Sequence, residues 1–407
     1  MSFAAGRVTF KRFFVSGVAP GRVDQDLLDR IARHAIGKGG TQGRDGTEAG
    51  WITGDHILDT RFEFVKNAIG ECLYLAMRVD TNRPPSDLVR SYQRMHEEAL
   101  LEKSGREFLT RQERREARES ARDQAEKEAR AGHFRRMRQY AVLWDLPRNQ
   151  VFLGATSPAV VERFASLFHQ TFDRSLTPAS SGELASRYAA AARLSGAYDD
   201  VRPSQFTRPP EGTEAGHSCA PPDESRSKDF LGTEWLTWLW YRCRYEGIEE
   251  TEIDGEEAVV CRFEKSAQLV CAYGLTGSLA LRSDDPAHAP ESRAAMATGK
   301  LPVRAGLQIV HRGQAFACVV RGDVMHFSAV QLPAAQDGAN PRAVFEERTG
   351  HLRDFVDAVS ASYGEFLRQR LSSRWPKRLA AIRGWIAAGA GEAKGASEDA
   401  PGLSAAS

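Results

Sequence analysis

The period of the apolar positions changes along the chain, and each change marks a different element. Val8–Val15 alternates and reads as a strand, while Leu27, Leu28 and Ile31 share one face of a helix over Asp24–Ala35, ended by glycines at 37, 39 and 40. Strands follow at Glu48–Ile52, Phe62–Val65 and Cys72–Val79, the last so apolar that it is expected to be buried on both faces. Asn82-Arg83-Pro84-Pro85 stops it. Further on, Tyr140–Asp145 and Gln150–Leu153 form a hairpin around Pro147-Arg148-Asn149. Ser157 then caps a helix bearing Val160, Val161, Phe164, Leu167 and Phe168.

The second half repeats the alternation of strand and helix. Phe230–Tyr245 is the most aromatic segment, with Trp235, Trp238, Leu239 and Arg242 on one helical face. Glu256–Phe263, Gln268–Tyr273, Val303–His311, Ala315–Arg321 and Val324–Leu332 read as strands, and Ala287–Thr298 as a helix. Phe345, Leu352, Phe355, Val356, Val359, Phe366 and Leu367 then recur at helical spacing within Pro341–Leu371, and Pro376 is expected to kink or restart that helix.

Between the halves of the first block lies Ser86–Tyr140, where acids and bases alternate. Its first part carries Leu88, Val89, Tyr92, Met95 and Ala99 on one face. Thr110 with Glu113 forms a capping box that starts a second helix, whose apolar stripe is only Ala117, Ala121, Ala125 and Ala129. So thin a stripe buries little area, so this pair is expected to project or to pack through one narrow face; the alternative is a solvated, salt-bridged helix. The pattern as a whole gives an α+β fold with mixed or antiparallel sheets and long projecting charged helices. Residues 1–85 and 138–190 make an N-terminal α+β domain and 86–137 an inserted helical arm. Residues 195–228 are a flexible linker rich in proline, serine and acid, 229–335 a second α+β domain, 340–388 a basic helical region and 391–407 a disordered tail.

Composition narrows the function by exclusion. Lysine plus arginine numbers 55 against 54 aspartates and glutamates in 407 residues, so any electrostatic role depends on local segregation. The six cysteines contain no CxxC pair, which points to a reducing, cytoplasmic setting without a disulfide framework or structural zinc. No signal peptide or membrane span is read. Gly37-Lys38-Gly39-Gly40 and Thr298-Gly299-Lys300 lack phosphate-loop spacing, and no GxSxG or HExxH is present. His217 and Cys219 fall in the linker. The ten histidines are too dispersed to name a metal site; His311 and His326, on neighbouring predicted strands, are placed to meet, more readily as structural groups than as metal ligands. No catalytic residue, metal ligand or cofactor is assigned.

What remains is local basicity. Arg135, Arg136 and Arg138 follow His133 and Phe134 where the charged helix ends, and Arg368, Arg370, Arg374, Lys377, Arg378 and Arg383 occupy Phe366–Ala390 without an acid after Phe366. Guanidinium groups neutralising phosphates bind DNA whatever its base sequence, so both clusters are candidate duplex contacts. Phe134 is either a core or a subunit-contact residue, and the C-terminal cluster either meets phosphates or packs on an acidic surface of its own protein.

In order along the chain, several stretches resemble the RdgC family of bacterial recombination-associated DNA-binding proteins: Gly50-Trp51-Ile52, CLYLAMRVDTNRPPSDLVR, the charged helices, HFRRMRQYAVLWD with VFLGATSPAVVERFASLF, ATGKLPVRAGLQIVHRGQAFACVV and YGEFLRQRL. The resemblance covers most of residues 8–371. It implies a horseshoe-shaped subunit that forms a ring-shaped homodimer around double-stranded DNA, associated with the nucleoid. It further implies no catalytic activity, restriction of the recombinase RecA, and a tip contact between subunits at Phe134. The long 195–228 segment and the basic stretch past Leu371 depart from the family pattern. Outside the resemblance, a metal-dependent nuclease and a non-enzymatic interaction scaffold are the alternatives.

Overall fold

The computed structural model of the protein describes residues 3–38, 41–42, 46–208, 228–247, 250–253, 256–335 and 340–398. In chain order, β1 is Val8–Val15, α1 Gln25–Arg33, β2 Thr41–Gln42, β3 Thr47–Ile52, α2 Phe64–Asn67, β4 Ala68–Ile69 and β5 Cys72–Asn82. Then come α3 Ser86–Ser104, α4 Arg111–Arg130, β6 Arg135–Asp145, β7 Gln150–Leu153, α5 Pro158–Phe172, β8 Leu176–Pro178, α6 Ser181–Ala191 and α7 Ser195–Asp200. The remainder is α8 Phe230–Tyr241, β9 Glu250–Ile253, β10 Glu256–Cys271, β11 Leu279–Arg282, α9 Pro290–Ala297, β12 Lys300–His311, β13 Gln314–Arg321, β14 His326–Gln331, α10 Pro341–Arg370 and α11 Trp375–Glu398. The fold is α+β with antiparallel strand pairing, and the chain divides into two compact units.

One unit comprises residues 15–149 and 157–176. Its strands run in the order β6, β5, β3, β2, with β4 also on β5. Trp51 of β3 anchors its core. The indole Nε1 donates to Thr171 Oγ1 at 2.7 Å, and the ring meets Phe164 and Phe172 of α5. Gly50 has to be glycine, because a Cβ there would lie 2.5 Å from the Ile36 backbone. Asn82, the last residue of β5, pairs with Arg135, the first of β6, so α3 and α4 are an excursion between two adjacent strand ends. These two helices pack on each other. The alanines 117, 121, 125 and 129 are buried, Tyr92 Oη donates to Glu128 at 2.7 Å, and His96 Nε2 meets Gln124 at 3.2 Å. The capping box at Thr110 and Glu113 is present.

The other unit comprises residues 1–14, 150–156 and 177–407. Its strands run β11, β10, β12, β13, β14, β1, β7, each paired antiparallel to the next, with β9 on β10. The 30-residue α10 packs on one face of this sheet, where Phe355 touches Phe10, Phe316 and Phe327 at 5.2–6.3 Å between ring centroids. All seven apolar positions read from the α10 sequence are buried. Helix α8 is buried around almost its whole circumference, and Trp235, Trp238 and Trp240 are enclosed.

Five expectations are corrected. Phe62–Val65 is not a strand: Asn67, wholly buried, accepts from Glu63 N–H and donates to the Thr53 and Tyr74 carbonyls, which closes a helical turn and leaves Val65 exposed. Glu256–Phe263 and Gln268–Tyr273 are one strand, interrupted by an irregularity at which Lys265 takes φ 63°. The part of the 195–228 linker within the described residues is ordered, as α7 and a segment whose Val201 and Phe206 are buried; residues 209–227 lie outside the described residues. Residues 391–398 of the expected tail continue α11, and 399–407 lie outside the described residues. His311 and His326 do not meet, since β13 lies between their strands.

Candidate nucleic-acid interface

The first arginine cluster follows the end of α4 and lies at the strand end of the helical excursion, not at its α3–α4 turn. The turn joining α3 to α4 spans residues 105–110, whereas Arg135, Arg136 and Arg138 lie in β6, where they face Asn82, Thr81 and Val79 of β5. Alternation along a strand separates them, so Arg136 and Arg138 share one face and Arg135 takes the other. All three are exposed, but Arg135 is committed to Asp80, to which its Nη2 donates at 2.7 Å. Asp80 is buried and also receives both nitrogens of a fork from Arg78. Burial pushes its carboxyl pKa up, yet the hydrogen bonds and charges of Arg78 and Arg135 outweigh that and hold it below the ordinary carboxylate value. Phe134 is half-buried just before β6, edge-on to His133.

The C-terminal cluster divides. Arg370 is no candidate for DNA contact, because it is buried and its Nε donates to Glu234 Oε2 at 2.6 Å. Arg378 pairs with Glu246, and Arg383 donates to the Gln205 carbonyl. Arg368 holds Glu365 at 2.7 Å while remaining exposed, and Arg374 and Lys377 are exposed. The interleaved aromatics are core groups: Trp375 donates to Ser204 Oγ and stacks edgewise on Phe366, and Trp385 lies against Tyr241. Packing on acids of the same protein thus accounts for part of this cluster.

The sheet of the second-described unit carries a third group that no run of basic residues announces. Arg304 of β12 faces Arg321 of β13, which in turn faces His326 of β14. Phe10 faces Phe327, which brings the next residue, Lys11 of β1, beside His326. Four cationic or titratable side chains therefore line up across four adjacent strands over roughly 14 Å, given the ~4.8 Å strand spacing. Gln268 flanks Arg304, and Arg262 faces Gln308 on the same surface. Arg304 and Arg321 are exposed, Lys11 and His326 half-buried.

The row is electrostatically tense. His326 is held down to about 4 by partial burial and then by the charges of Lys11, Arg304 and Arg321, against the opposing pull of Asp323. Lys11 is lowered by burial and by Arg321. Like charges facing each other across strands cost stability. Arg321 donates from Nε and Nη2 to the one carboxylate in the group, Asp323, at 3.0 Å and 2.9 Å. An external anion would relieve the repulsion. In chemical terms, the row suits a line of phosphates and reads no base edges.

Among the described residues, no group of three or more His, Cys, Asp or Glu is placed to hold a metal ion, and no helix is long and apolar enough to cross a membrane. A scan against protein-family models and a search of curated proteins found no match to the chain.

Proposed function

We propose that the protein binds double-stranded DNA without sequence preference and acts without catalysis, as a ring-shaped homodimer that limits access of the recombinase RecA. The observation that carries the DNA part is the row of Lys11, His326, Arg321 and Arg304 on one sheet face, where both arginines are exposed. Repulsion within the row is relieved by phosphate, and nothing in it distinguishes one base from another. Arg136 and Arg138, which share a strand face, supply a second cationic surface. The resemblance to the RdgC family supports the ring, the antagonism to RecA, the nucleoid location and the subunit contact at Phe134. On this reading the paired helices α3 and α4 project as an arm.

Fluorescence anisotropy on two unrelated duplexes across a salt series tests the proposal. Equal affinities and a steep loss with salt are expected, and Arg304→Ala with Arg321→Ala lowers the log–log slope by about 2, since each phosphate contact contributes roughly 0.9. A slope that the double variant leaves unchanged, or a strong preference for one duplex, sinks it. For the ring, the mass of the particle on a closed circle, compared with a linear duplex at high salt, distinguishes topological linkage from simple adhesion.

A further inference from the structure

The residues past Leu371 that duplex binding does not absorb enclose a cleft of about 490 Å³ between α8, the end of α10 and the start of α11. Its charged lining is Arg368, Arg374, Lys377 and Arg378 against the single carboxylate of Glu246. Glu246 already serves Arg378, and Arg368 is held by Glu365 from outside the lining. Neither Arg374 nor Lys377 has an ion-pair partner among the described residues. Ser372 and Gln369 add neutral hydrogen-bonding groups to the wall, and the Tyr241 ring forms one side with the Arg378 guanidinium 5.8 Å from its centroid.

The backbone adds to this. Helix α11 begins at Trp375, so its N-terminal end lies among the residues that line the cleft. The positive end of a helix dipole and four cations line a half-open space of the size that takes a small anionic ligand. The lining is set by the core beneath it: Trp375 and Ile382 are buried, and Trp375 is tied to Ser204.

We propose that this cleft is a binding site for a compact phosphate group, either the phosphates of a free nucleotide or the terminal phosphate of a DNA end, distinct from the sheet face that meets the duplex. Arg374 and Lys377 are its principal ligands. Arg368 and Arg378 are held in place by Glu365 and Glu246 and supply further guanidinium donors to the wall. A fork from Arg374 and the point charge of Lys377 suit the terminal oxygens of a phosphate monoester better than the diester of a continuous strand.

Isothermal titration calorimetry of the full chain at low salt, with inorganic pyrophosphate and ATP as probes, measures the site directly. Anisotropy with a short duplex carrying or lacking a 5′-phosphate identifies the alternative source. Saturable binding of pyrophosphate or ATP, or tighter binding of the phosphorylated end, is expected. Arg374→Ala with Lys377→Ala weakens either by at least about tenfold, the loss of one or more charge-assisted hydrogen bonds. Both side chains are exposed, so the variant retains its fold, which circular dichroism verifies. Arg304→Ala with Arg321→Ala leaves pyrophosphate and ATP binding intact while weakening duplexes with or without the 5′-phosphate, which separates a failure of the cleft from a failure of the DNA reading. The proposal is overturned if no probe binds saturably, if the Arg374 and Lys377 variant binds as tightly as the unaltered chain, or if that variant weakens a long unphosphorylated duplex as much as the sheet-face variant does.

Discussion

Glu234 of α8 and Arg370 of α10 form a buried ion pair, with side chains 4% and 8% exposed and Nε to Oε2 at 2.6 Å. Each partner is also tied to the segment that follows α7. Ser204 N–H donates to Glu234 Oε1 at 2.6 Å, and Arg370 Nη2 donates to the Arg202 carbonyl at 2.6 Å. The pair thus fastens residues 202–204 between two core helices.

Arg370→Ala leaves a buried carboxylate without its cation and is expected to destabilise the protein by about 3–5 kcal/mol. Replacing both members by apolar residues, as Glu234→Leu with Arg370→Met, costs much less, because no uncompensated charge remains. Urea denaturation of the three proteins checks this, and duplex affinity at 25 °C should be unchanged wherever the fold persists.

His326 makes stability depend on pH. Its folded pKa of about 4 lies below the ordinary 6.5. Between those values the unfolded chain binds a proton that the folded chain refuses. The contribution is therefore complete above pH 6.5 and is lost as pH falls toward 4, at no more than about 1.4 kcal/mol per pH unit. His326→Gln flattens that part of the profile in chemical denaturation. Phosphates on the row reverse the local field that Lys11, Arg304 and Arg321 create, so duplex binding takes up a proton and tightens from pH 7.5 to pH 5.5. Loss of that tightening in His326→Gln is the expected signature.

The stripe on α4 has room only for alanine. Ala121 is 0% exposed against α3. Ala121→Leu forces the helices apart and costs about 1–3 kcal/mol. Hydrogen exchange should show the loss confined to α3 and α4, because the strand ends Asn82 and Arg135 remain paired beneath them.

Much of this was legible in the sequence, for identifiable reasons. The 3.6-residue spacing from Phe345 to Leu367 placed α10, and Thr110 with Glu113 placed the start of α4, because both signals are local. Phe62–Val65 misled because the deciding group, Asn67, acts through carbonyls at Thr53 and Tyr74 that the segment does not contain. Basic runs drew attention to 135–138 and 368–383, but a run along one chain is not a surface. Strand alternation splits the first, and Glu234 takes Arg370 from the second.

The cation row was missed although a signal for it exists. Arg304 and Arg321 stand equally far from the turn at Arg312-Gly313, so pairing β12 with β13 through that turn sets them face to face. Lys11 had no such signal, since its neighbour His326 is more than three hundred positions away along the chain.

That distance has a consequence for synthesis. Strand β1 gains β7 on one edge once residues 150–153 exist, but its other edge waits for β14, where Val8 meets Val330. At ribosomal rates of 5–20 residues per second, the wait is roughly 20–60 s. The unit of residues 15–149 and 157–176 is fully translated well within it. A nascent chain therefore carries one fully translated unit together with an open strand edge at which Phe10 still lacks Phe327 and Phe355. This is the interval in which a holdase chaperone would find its substrate, and in which the protein is most exposed to aggregation.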